Sequence, residues 1–348
     1  MTQKPLIFDQ SLEDLQSYFA ALGEPAYRAD QLWTAVYQSL VTDPEDITNL
    51  PLDLRCKLES EFDFSAFKSR TELQSQDGST RKYLLEARDG ALIEVVLMRY
   101  ERRRTACIST QVGCGMGCVF CATGQMGFQR HLTSGEIIAQ VLFVQRKLVE
   151  VEDRLTNVVV MGMGEPFHNY VETMAAIRRL NDPKGFNFGA RRFTVSTVGL
   201  IPMIEDFMHE DLQVNLAISL HAATQELRDH LLPINSRYPL DALMHACRRY
   251  VRETGRRITF EWALIDGVND TPEQAQALAD LVAGMNCHVN LIPLNPTQGY
   301  SGGRTDPEVV ERFLAILNAR GISATVRVRR GIDIQAGCGQ LATEHSPE

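Results

Sequence analysis

The chain has 348 residues, 44% apolar and 23% charged, which is typical of a soluble globular protein with one large core and a small appended module. Its net charge of −9 argues against a general nucleic-acid coat, which needs a basic surface. No apolar run reaches the roughly 20 residues needed to cross a bilayer, and residues 1–5 lack a signal-peptide pattern, so we expect a cytoplasmic protein and no membrane contact. Eight cysteines in such a chain indicate metal ligands, redox chemistry and core packing rather than a disulfide framework.

Residues 1–70 are predicted to form a small helical accessory domain. Ser11 and Asp14 fit a capping box, and the apolar stripe that follows them ends at Gly23. Two further stripes have helical spacing; the residues of all three are Leu12, Leu15 and Phe19, then Leu32, Trp33, Val36 and Tyr37, then Leu54, Leu58 and Phe62. Residues 71–104 change to β-rich runs separated by Asp-Gly pairs, which are typical of hairpin turns. We predict a β-hairpin extension and linker over that range.

From residue 105 to 348, predicted strands alternate with predicted helices. Strands are expected at 106–110, 157–161, 193–197, 214–220, 258–265, 288–293 and 324–328. Helices are expected at 134–144, where Thr133 and Glu136 fit a capping box, and at 240–252, 271–285 and 307–319. This order predicts an α/β fold with a parallel sheet, whose active site lies at the carboxyl ends of the strands.

Three cysteines lie close together after the first of these strands, at Cys114, Cys118 and Cys121. The glycines between the first two let a short loop turn tightly enough to direct three thiolates towards one metal centre. A structural zinc site needs a fourth protein ligand, and the next histidine and cysteine are the lone His131 and the distant Cys247. Three ligands and one open coordination position are what a catalytic cluster needs.

The spacing of the motif resembles that of the radical S-adenosylmethionine (SAM) enzymes. In that superfamily the three cysteines hold a 4Fe–4S cluster, and SAM binds the fourth iron through its amino and carboxylate groups. The resemblance implies the same cofactors here. It also places the aromatic residue of the motif, Phe120, beside the SAM adenine.

Polar residues recur at the ends of successive predicted strands. The turn at 161–166 contains Gly164 and Glu165 and follows the strand next to the cysteine loop, where radical SAM enzymes carry a Gly-Glu motif that receives the SAM amino group. Each such residue alone is more typical of a turn or cap, but their repetition predicts one pocket. The remaining candidates for cofactor contact are Ser196, Ser219, Leu220, His221 and Asn295.

Two further cysteines are singled out by their positions. Cys338 lies after the last predicted strand with a glycine on each side, which favours an exposed loop rather than a core position. Cys107, on the first predicted strand of the sheet, is its expected counterpart. Cys56, Cys247 and Cys287 have no supporting pattern and are assigned to packing.

Basic residues are clustered although the chain is acidic. Single clusters are typical of solvated helix and strand ends, but several of them near the catalytic segments favour a local RNA-facing surface. They are Arg99 with Arg102–Arg104, Arg191 with Arg192, the arginines at 248, 249, 252, 256 and 257, and Arg327 with Arg329 and Arg330.

Taken together, these segments resemble the RlmN family of adenine-C2 methyltransferases over about residues 90–341. The resemblance is carried by the cysteine motif with Ala122-Thr123-Gly124, the turn at 161–166, and the segments at 196–197, 219–222, 232–235, 290–296 and 336–341; the N-terminal helices match more weakly. It implies a partial (β/α)6 radical SAM barrel with a helical accessory domain. Gln335 and Gly337 stand where the family pattern has Asp and Ala.

The resemblance also implies roles for individual residues. Cys338 matches the cysteine that the family methylates, Cys107 the cysteine that resolves the intermediate, and Glu94 the proposed proton acceptor. One SAM methylates the Cys338 thiolate, and a second SAM yields a radical that abstracts hydrogen from the methyl group. The resulting carbon radical joins adenine C2, and attack by Cys107 on sulfur releases the product as a disulfide forms. The partners implied are 23S rRNA, with tRNA as a candidate second substrate, and a flavodoxin-like or chemical electron donor; we expect a monomer.

Three alternatives remain open from the sequence. The related enzyme Cfr methylates adenine C8 with the same set of cysteines. A radical SAM enzyme that acts on a small molecule would leave the arginine clusters as solvated surface. A non-enzymatic RNA-binding protein could use the three cysteines in a structural zinc or iron–sulfur site, but that does not explain Cys338 or the Gly-Glu turn.

Overall fold

The computed structural model describes residues 4–328 and 330–342. The helices are α1 Leu12–Ala21, α2 Tyr27–Tyr37, α3 Leu52–Glu61, α4 Ala122–Gln125, α5 Ser134–Val149, α6 Tyr170–Asn181, α7 Ile201–Met208, α8 Gln225–Leu231, α9 Leu240–Thr254, α10 Pro272–Val282 and α11 Pro307–Ala319. The strands are β1 Phe67–Gln74, β2 Thr80–Ala87, β3 Leu92–Arg99, β4 Arg104–Cys107, β5 Gln111–Gly113, β6 Phe128–His131, β7 Asn157–Val160, β8 Phe193–Thr197, β9 Asn215–Ser219, β10 Ile258–Leu264, β11 Cys287–Pro293 and β12 Ala324–Val326.

Within these residues, ten strands form one sheet in the order β1-β2-β3-β4-β7-β8-β9-β10-β11-β12. The ladders from β4 to β12 are parallel, and β1, β2 and β3 add antiparallel strands next to β4. Helices connect the parallel strands, as such crossovers require. The predicted α/β fold with a parallel sheet and an N-terminal helical region is confirmed.

The two predicted capping boxes are present. The Ser11 hydroxyl accepts from the Asp14 amide at 3.0 Å, and the Asp14 carboxylate accepts from the Ser11 amide at 2.9 Å. Thr133 and Glu136 form the same reciprocal pair at the start of α5. Each box satisfies two amides that the first helical turn leaves without a partner.

Several strand ends differ from the predicted ranges. The strand predicted at 106–110 ends at Cys107, because the Ser109 amide donates to the Gln140 side chain at 2.8 Å instead of continuing the ladder. The last strand stops at Val326 rather than residue 328. Helices α6, α7 and α8 have no counterpart among the predicted helices.

The hairpin segment is an integral part of the sheet. Strand β3 pairs antiparallel with β4, so that Val96 lies opposite Cys107. The N-terminal helices pack on the other elements through polar and apolar contacts: the Gly135 amide donates to Asp9 at 2.7 Å, and the Trp33 indole donates to Asp182 at 3.1 Å. Residues of both parts lie in one hydrophobic core. Among the described residues, no helix is both long and apolar enough to cross a membrane.

We expect Trp33→Ala to lower the free energy of unfolding by about 3–5 kcal/mol, because truncating a buried aromatic side chain leaves a cavity. Trp33 is 3% exposed, and the change also removes its hydrogen bond to Asp182. Urea denaturation measures the change. Tyr27→Ala is the control, since Tyr27 lies on the same helix and is 52% exposed. A loss below about 1 kcal/mol for Trp33→Ala would contradict tight docking of the helical module.

Candidate active site

The cysteine loop lies between β5 and α4, at the carboxyl end of β4. Cys114, Cys118 and Cys121 line one cavity, and none forms a disulfide. Two backbone hydrogen bonds fix the loop. The Cys114 amide donates to the Gly127 carbonyl at 2.8 Å, and the Cys121 amide donates to the Cys118 carbonyl at 3.1 Å. Within residues 4–328 and 330–342, no three His, Cys, Asp or Glu side chains converge closely enough to hold a single metal ion.

Burial disfavours the charged thiolate form of these three cysteines, so a thiolate here requires a positively charged partner. It raises the pKa of Cys114 to about 12, and it also raises the pKa of Cys118 and of Cys121. Hydrogen bonds from the backbone of Gly124 and Thr123 act in the opposite direction on the pKa of Cys121. Three thiols that line one cavity, with backbone N–H bonds to Cys114 and Cys121, fit an iron–sulfur cluster, whose irons stabilise the thiolates and whose sulfurs accept N–H bonds.

The Gly-Glu turn follows β7 and forms the neighbouring wall of the cavity. Gly164 has φ 102°, and a Cβ there would lie 2.6 Å from Cβ of Gln111, so this position requires glycine. The Glu165 carboxylate accepts from the amides of Phe167 and Val198, each at 2.9 Å. Burial nevertheless raises the pKa of Glu165 to about 7. A cation bound in the cavity would favour its ionised form.

Phe120 of the cysteine motif and most of the predicted strand-end residues line the same cavity; the strand-end residues are Ser196, Ser219, His221 and Asn295. The two serine hydroxyls lie 3.2 Å apart. Leu220 is different: it is fully buried in the hydrophobic core and does not line the cavity.

His221 has a fixed orientation and charge. Its Nδ1 accepts from the Ala263 amide at 2.9 Å, which leaves the proton on Nε2, and burial lowers its pKa to about 3. Its ring meets that of Phe120 edge to face at 5.0 Å. The cavity therefore combines a neutral imidazole, an aromatic ring, two hydroxyls and one carboxylate, which suits a ligand with both polar and apolar parts.

Cys338 is brought to this cavity by the segment that follows β12. It is half-buried rather than exposed, and its carbonyl accepts from the Asn295 amide group at 3.1 Å. Gly337 departs from the expected alanine, and a Cβ there would lie 2.5 Å from Nδ2 of Asn295. Two bonds to the start of α4 hold the segment: Ala122 N donates to Gly339 O at 2.8 Å, and the Thr123 hydroxyl donates to Leu341 O at 2.6 Å.

Cys107 is the last residue of β4 and does not line the cavity, but it pairs with Val159 on β7, directly before the cavity-lining Val160 and Met161. Burial raises its pKa to about 12, and the negative charge of Cys338 contributes to the increase. Arg327 lines the cavity together with Cys338, and negative charge on Cys338 raises the pKa of Arg327. Cys107 thus lies next to strand-end residues of the cavity that Cys338 lines.

Glu94 is part of a buried ion pair that also anchors the Cys338 segment. Its carboxylate lies 2.8 Å from Nζ of Lys82 and accepts from the Ala342 amide at 3.0 Å. Burial raises the pKa of Glu94, while Lys82 lowers it. Lys82 also donates to the Gln335 carbonyl at 3.3 Å.

Sequence reasoning missed Lys82, Gln111 and Arg228. The fully buried Arg228 donates to the carbonyls of Leu220 and Val198 and to the Asn235 side chain. It therefore holds the backbone of Val198, which lines the cavity. The sequence contains no clear signal for Lys82, because β2 mixes polar and apolar residues and the partner of Lys82 on the neighbouring strand depends on a register that the sequence leaves open.

The arginine clusters lie mainly at the opposite edge of the sheet. The clusters at 99–104, 191–192 and 248–257 directly precede β4, β8 and β10, so they lie at the amino ends of these parallel strands. Only the cluster that includes Arg327 and Arg330 follows a strand and lies at the cavity edge; Arg329 is outside the described residues. The inference of a broad arginine surface near the catalytic segments therefore applies to one cluster of four.

Comparison with known proteins agrees with this geometry. The family model described as the radical SAM superfamily matches residues 108–282, and the one described as the ribosomal RNA large subunit methyltransferase N-terminal domain matches residues 7–63.

Relatives match along the full chain. The probable dual-specificity RNA methyltransferase RlmN of Geobacillus kaustophilus is 47% identical, over 100% of this chain and 95% of its own length. The dual-specificity RNA methyltransferase RlmN 1 of Myxococcus xanthus is 49% identical over 96% of this chain and 93% of its own. A crystal structure of a radical SAM methyltransferase from Sphaerobacter thermophilus superimposes with a TM-score of 0.96 at 51% identity, covering 98% of this chain and 100% of that one. The chain therefore belongs to the RlmN family of radical SAM RNA methyltransferases.

Proposed function

We propose that this enzyme methylates C2 of an adenosine in 23S rRNA, and in tRNA as well, through a methylated cysteine, with two SAM consumed per turnover. The observation that carries the proposal is the free Cys338 in the wall of the cavity that the cysteine triad lines, with the free Cys107 at the end of the strand next to the cavity-lining Val160 and Met161. The relatives are named as dual-specificity RNA methyltransferases, which supports the substrate class.

Cys114, Cys118 and Cys121 would hold a 4Fe–4S cluster, and the residues around Glu165, Ser196, Ser219 and Asn295 would hold SAM. When bound, these groups supply the methyl carbon and the radical chemistry that an unreactive aromatic C–H requires. The chain's own contribution is to bind, orient and exclude water. Phe120 and His221 form an aromatic wall of the cavity. Leu220 would support SAM binding only indirectly, through the hydrophobic core behind that wall.

Cys338 carries the methyl carbon between the cofactor and the base. Its sulfur becomes a thioether on methylation, and the methylene carbon then bonds to adenine C2 while the protein remains attached to RNA. Loss of the C2 proton and of one electron, which the oxidised cluster would accept, restores the aromatic ring. Attack of the Cys107 thiolate on the Cys338 sulfur then breaks the bond from sulfur to carbon and forms a disulfide, and the released carbon takes up a proton to become the methyl group. A reductant, with a flavodoxin-like protein as our candidate for the electron donor, returns both thiols.

The neighbouring charges suit this order of events. Part of the increase in the pKa of Cys107 comes from the negative charge of Cys338. That charge is absent once Cys338 is a thioether, so Cys107 becomes easier to ionise at the step in which it must attack. Glu94 or Cys107 accepts the C2 proton.

We further propose that the enzyme acts as a cytoplasmic monomer.

Cys338→Ala is expected to abolish RNA methylation while the cluster remains intact. Anaerobically reconstituted wild-type and variant proteins are incubated with SAM, reductant and 23S rRNA, and the RNA is analysed by mass spectrometry. Wild-type product methylated at C2 supports the proposal, whereas C8 would assign the chain the chemistry of Cfr. Cys56→Ala is the control, because Cys56 is exposed and lies far from the cavity on α3. Methylation by Cys338→Ala at the wild-type rate would contradict the role of this thiol.

Cys107→Ala should trap a covalent adduct between RNA and protein, because no thiol remains to release the product. Denaturing electrophoresis with labelled RNA detects it, and nuclease treatment should leave a modified nucleotide on the peptide containing Cys338. Cys247→Ala, another buried cysteine, is the matched control. Normal turnover without an adduct would show that Cys107 does not resolve the intermediate.

In a plot of methylation rate against pH, Lys82→Met should shift the low-pH side, the acid limb, to higher pH. Loss of the cation removes the influence that lowers the pKa of Glu94, so a higher pH is needed to ionise this carboxyl. Single-turnover rates between about pH 6 and 9 measure the shift, and Lys82→Arg should retain the wild-type limb. A uniform loss of rate with an unchanged limb would make Glu94 an anchor of the Cys338 segment and not the proton acceptor.

A further inference from the structure

Three aromatic side chains that the catalytic scheme does not use form an exposed cluster. Phe128 and His131 lie on β6, and His168 follows the Gly-Glu turn. The ring centroids of Phe128 lie 5.0 Å from His131 and 5.4 Å from His168, and the two imidazoles are 4.9 Å apart. All three side chains are exposed, and Phe128 retains 41% of its accessible surface. Exposed aromatic side chains in mutual contact are a feature of surfaces that bind nucleobases.

A buried amide fixes the protonation of both imidazoles. Oε1 of Gln111 accepts from the Glu165 amide at 2.8 Å, which assigns the nitrogen of this side chain to the opposite side. That nitrogen, Nε2, lies 3.1 Å from Nδ1 of His131 and 3.0 Å from Nδ1 of His168. An amide nitrogen only donates, so both Nδ1 atoms accept and each imidazole carries its proton on Nε2.

This tautomer determines what the cluster can bind. Each Nε2–H is a hydrogen-bond donor, whereas a metal ion would need a lone pair on Nε2 and a proton on Nδ1. Burial lowers the pKa of His131, and the neighbouring His168 lowers it further, so the imidazole favours its neutral form. Two neutral N–H donors beside a phenyl ring suit a flat ligand with oxygen acceptors, and they do not suit a metal ion.

The cluster lies at the cavity edge and touches the catalytic loops directly. A Cβ on Gly115, within the cysteine motif, would lie 3.4 Å from Cβ of Phe128. Gln111 packs on Gly164 and binds the Glu165 amide, both of which line the cavity.

The basic side chain within this stretch is engaged in ion pairs. Arg130, which lies between Phe128 and His131, is paired with Asp89 and Glu136. Three of the four arginine clusters lie at the opposite edge of the sheet, at the amino ends of the strands. Aromatic stacking and neutral N–H donors, which need no cation, are therefore the contacts that this cluster offers to RNA.

We propose that Phe128, His131 and His168 form a binding site for an unpaired nucleotide of the RNA substrate, adjacent to the adenosine that enters the cavity. The base stacks against the aromatic rings, and the two Nε2–H groups donate to oxygen atoms of that nucleotide. This inference rests on the proposed RNA methyltransferase function and adds a contact outside the cofactor cavity.

The test compares Phe128→Ala, the His131→Ala/His168→Ala double variant and the wild type as reconstituted enzymes. The dissociation constant for a 23S rRNA fragment that contains the target adenosine is measured by anaerobic fluorescence anisotropy. Loss of one base–aromatic stack should weaken binding by about fivefold to a hundredfold, and Phe128→Tyr should restore it. Val171→Ala is the matched control, because Val171 is 75% exposed on the adjacent α6 and lies outside the cluster.

A second readout separates RNA binding from support of the cysteine loop. Electron paramagnetic resonance of the reduced cluster, with and without SAM, should be the same in Phe128→Ala and the wild type. Unchanged RNA affinity in both variants would overturn the inference, and so would loss of the SAM response together with RNA affinity. If the wild-type enzyme itself neither binds nor methylates the RNA, it is the proposed function that fails.

Discussion

The attachment of the C-terminal segment to the cysteine loop is the contact on which the rest of the site depends. The Ala122 amide and the Thr123 hydroxyl hold the backbone at Gly339 and Leu341, directly after the cysteine triad. These bonds place Cys338 over the cavity. Without them the cavity would retain its cofactor residues but would lack the thiol that we propose as the methyl carrier.

The same segment is held from the other side by the buried pair of Lys82 and Glu94. A buried ion pair gains little net stability, because desolvation offsets the attraction between the charges. This pair also satisfies the Ala342 amide and the Gln335 carbonyl, so its specific effect is on where the segment lies. The antiparallel strands β2 and β3 are thus part of the active site through these two side chains.

Local patterns were sufficient for the parts of the site that are close in sequence. The cysteine spacing, the Gly-Glu turn and the strand-end polar residues each follow from chain-local rules, and the parallel sheet gathers them at one edge. The flanking glycines of Cys338 wrongly suggested an exposed position, because its hydrogen bonds come from residues distant in sequence. Lys82 and Gln111 could not be found for the same reason. The arginine clusters were assigned to the catalytic face on clustering alone, although three of them directly precede strands and therefore lie at the amino ends of the parallel sheet.

The catalytic edge thus has a buried part for the cofactors and an exposed aromatic part that we assign to RNA. Gln111 links them, since one side chain binds the Glu165 amide and both surface imidazoles. The proposed nucleotide site and the cofactor cavity are therefore connected through the side chain of Gln111.

The most direct measurement of the central claim is peptide mass spectrometry of the protein itself after anaerobic incubation of the reconstituted enzyme with methyl-deuterated SAM and no RNA. The account predicts a labelled methyl group on Cys338 and on no other cysteine. An intact cluster with Cys338 unmodified, or with the label on another cysteine, would contradict it.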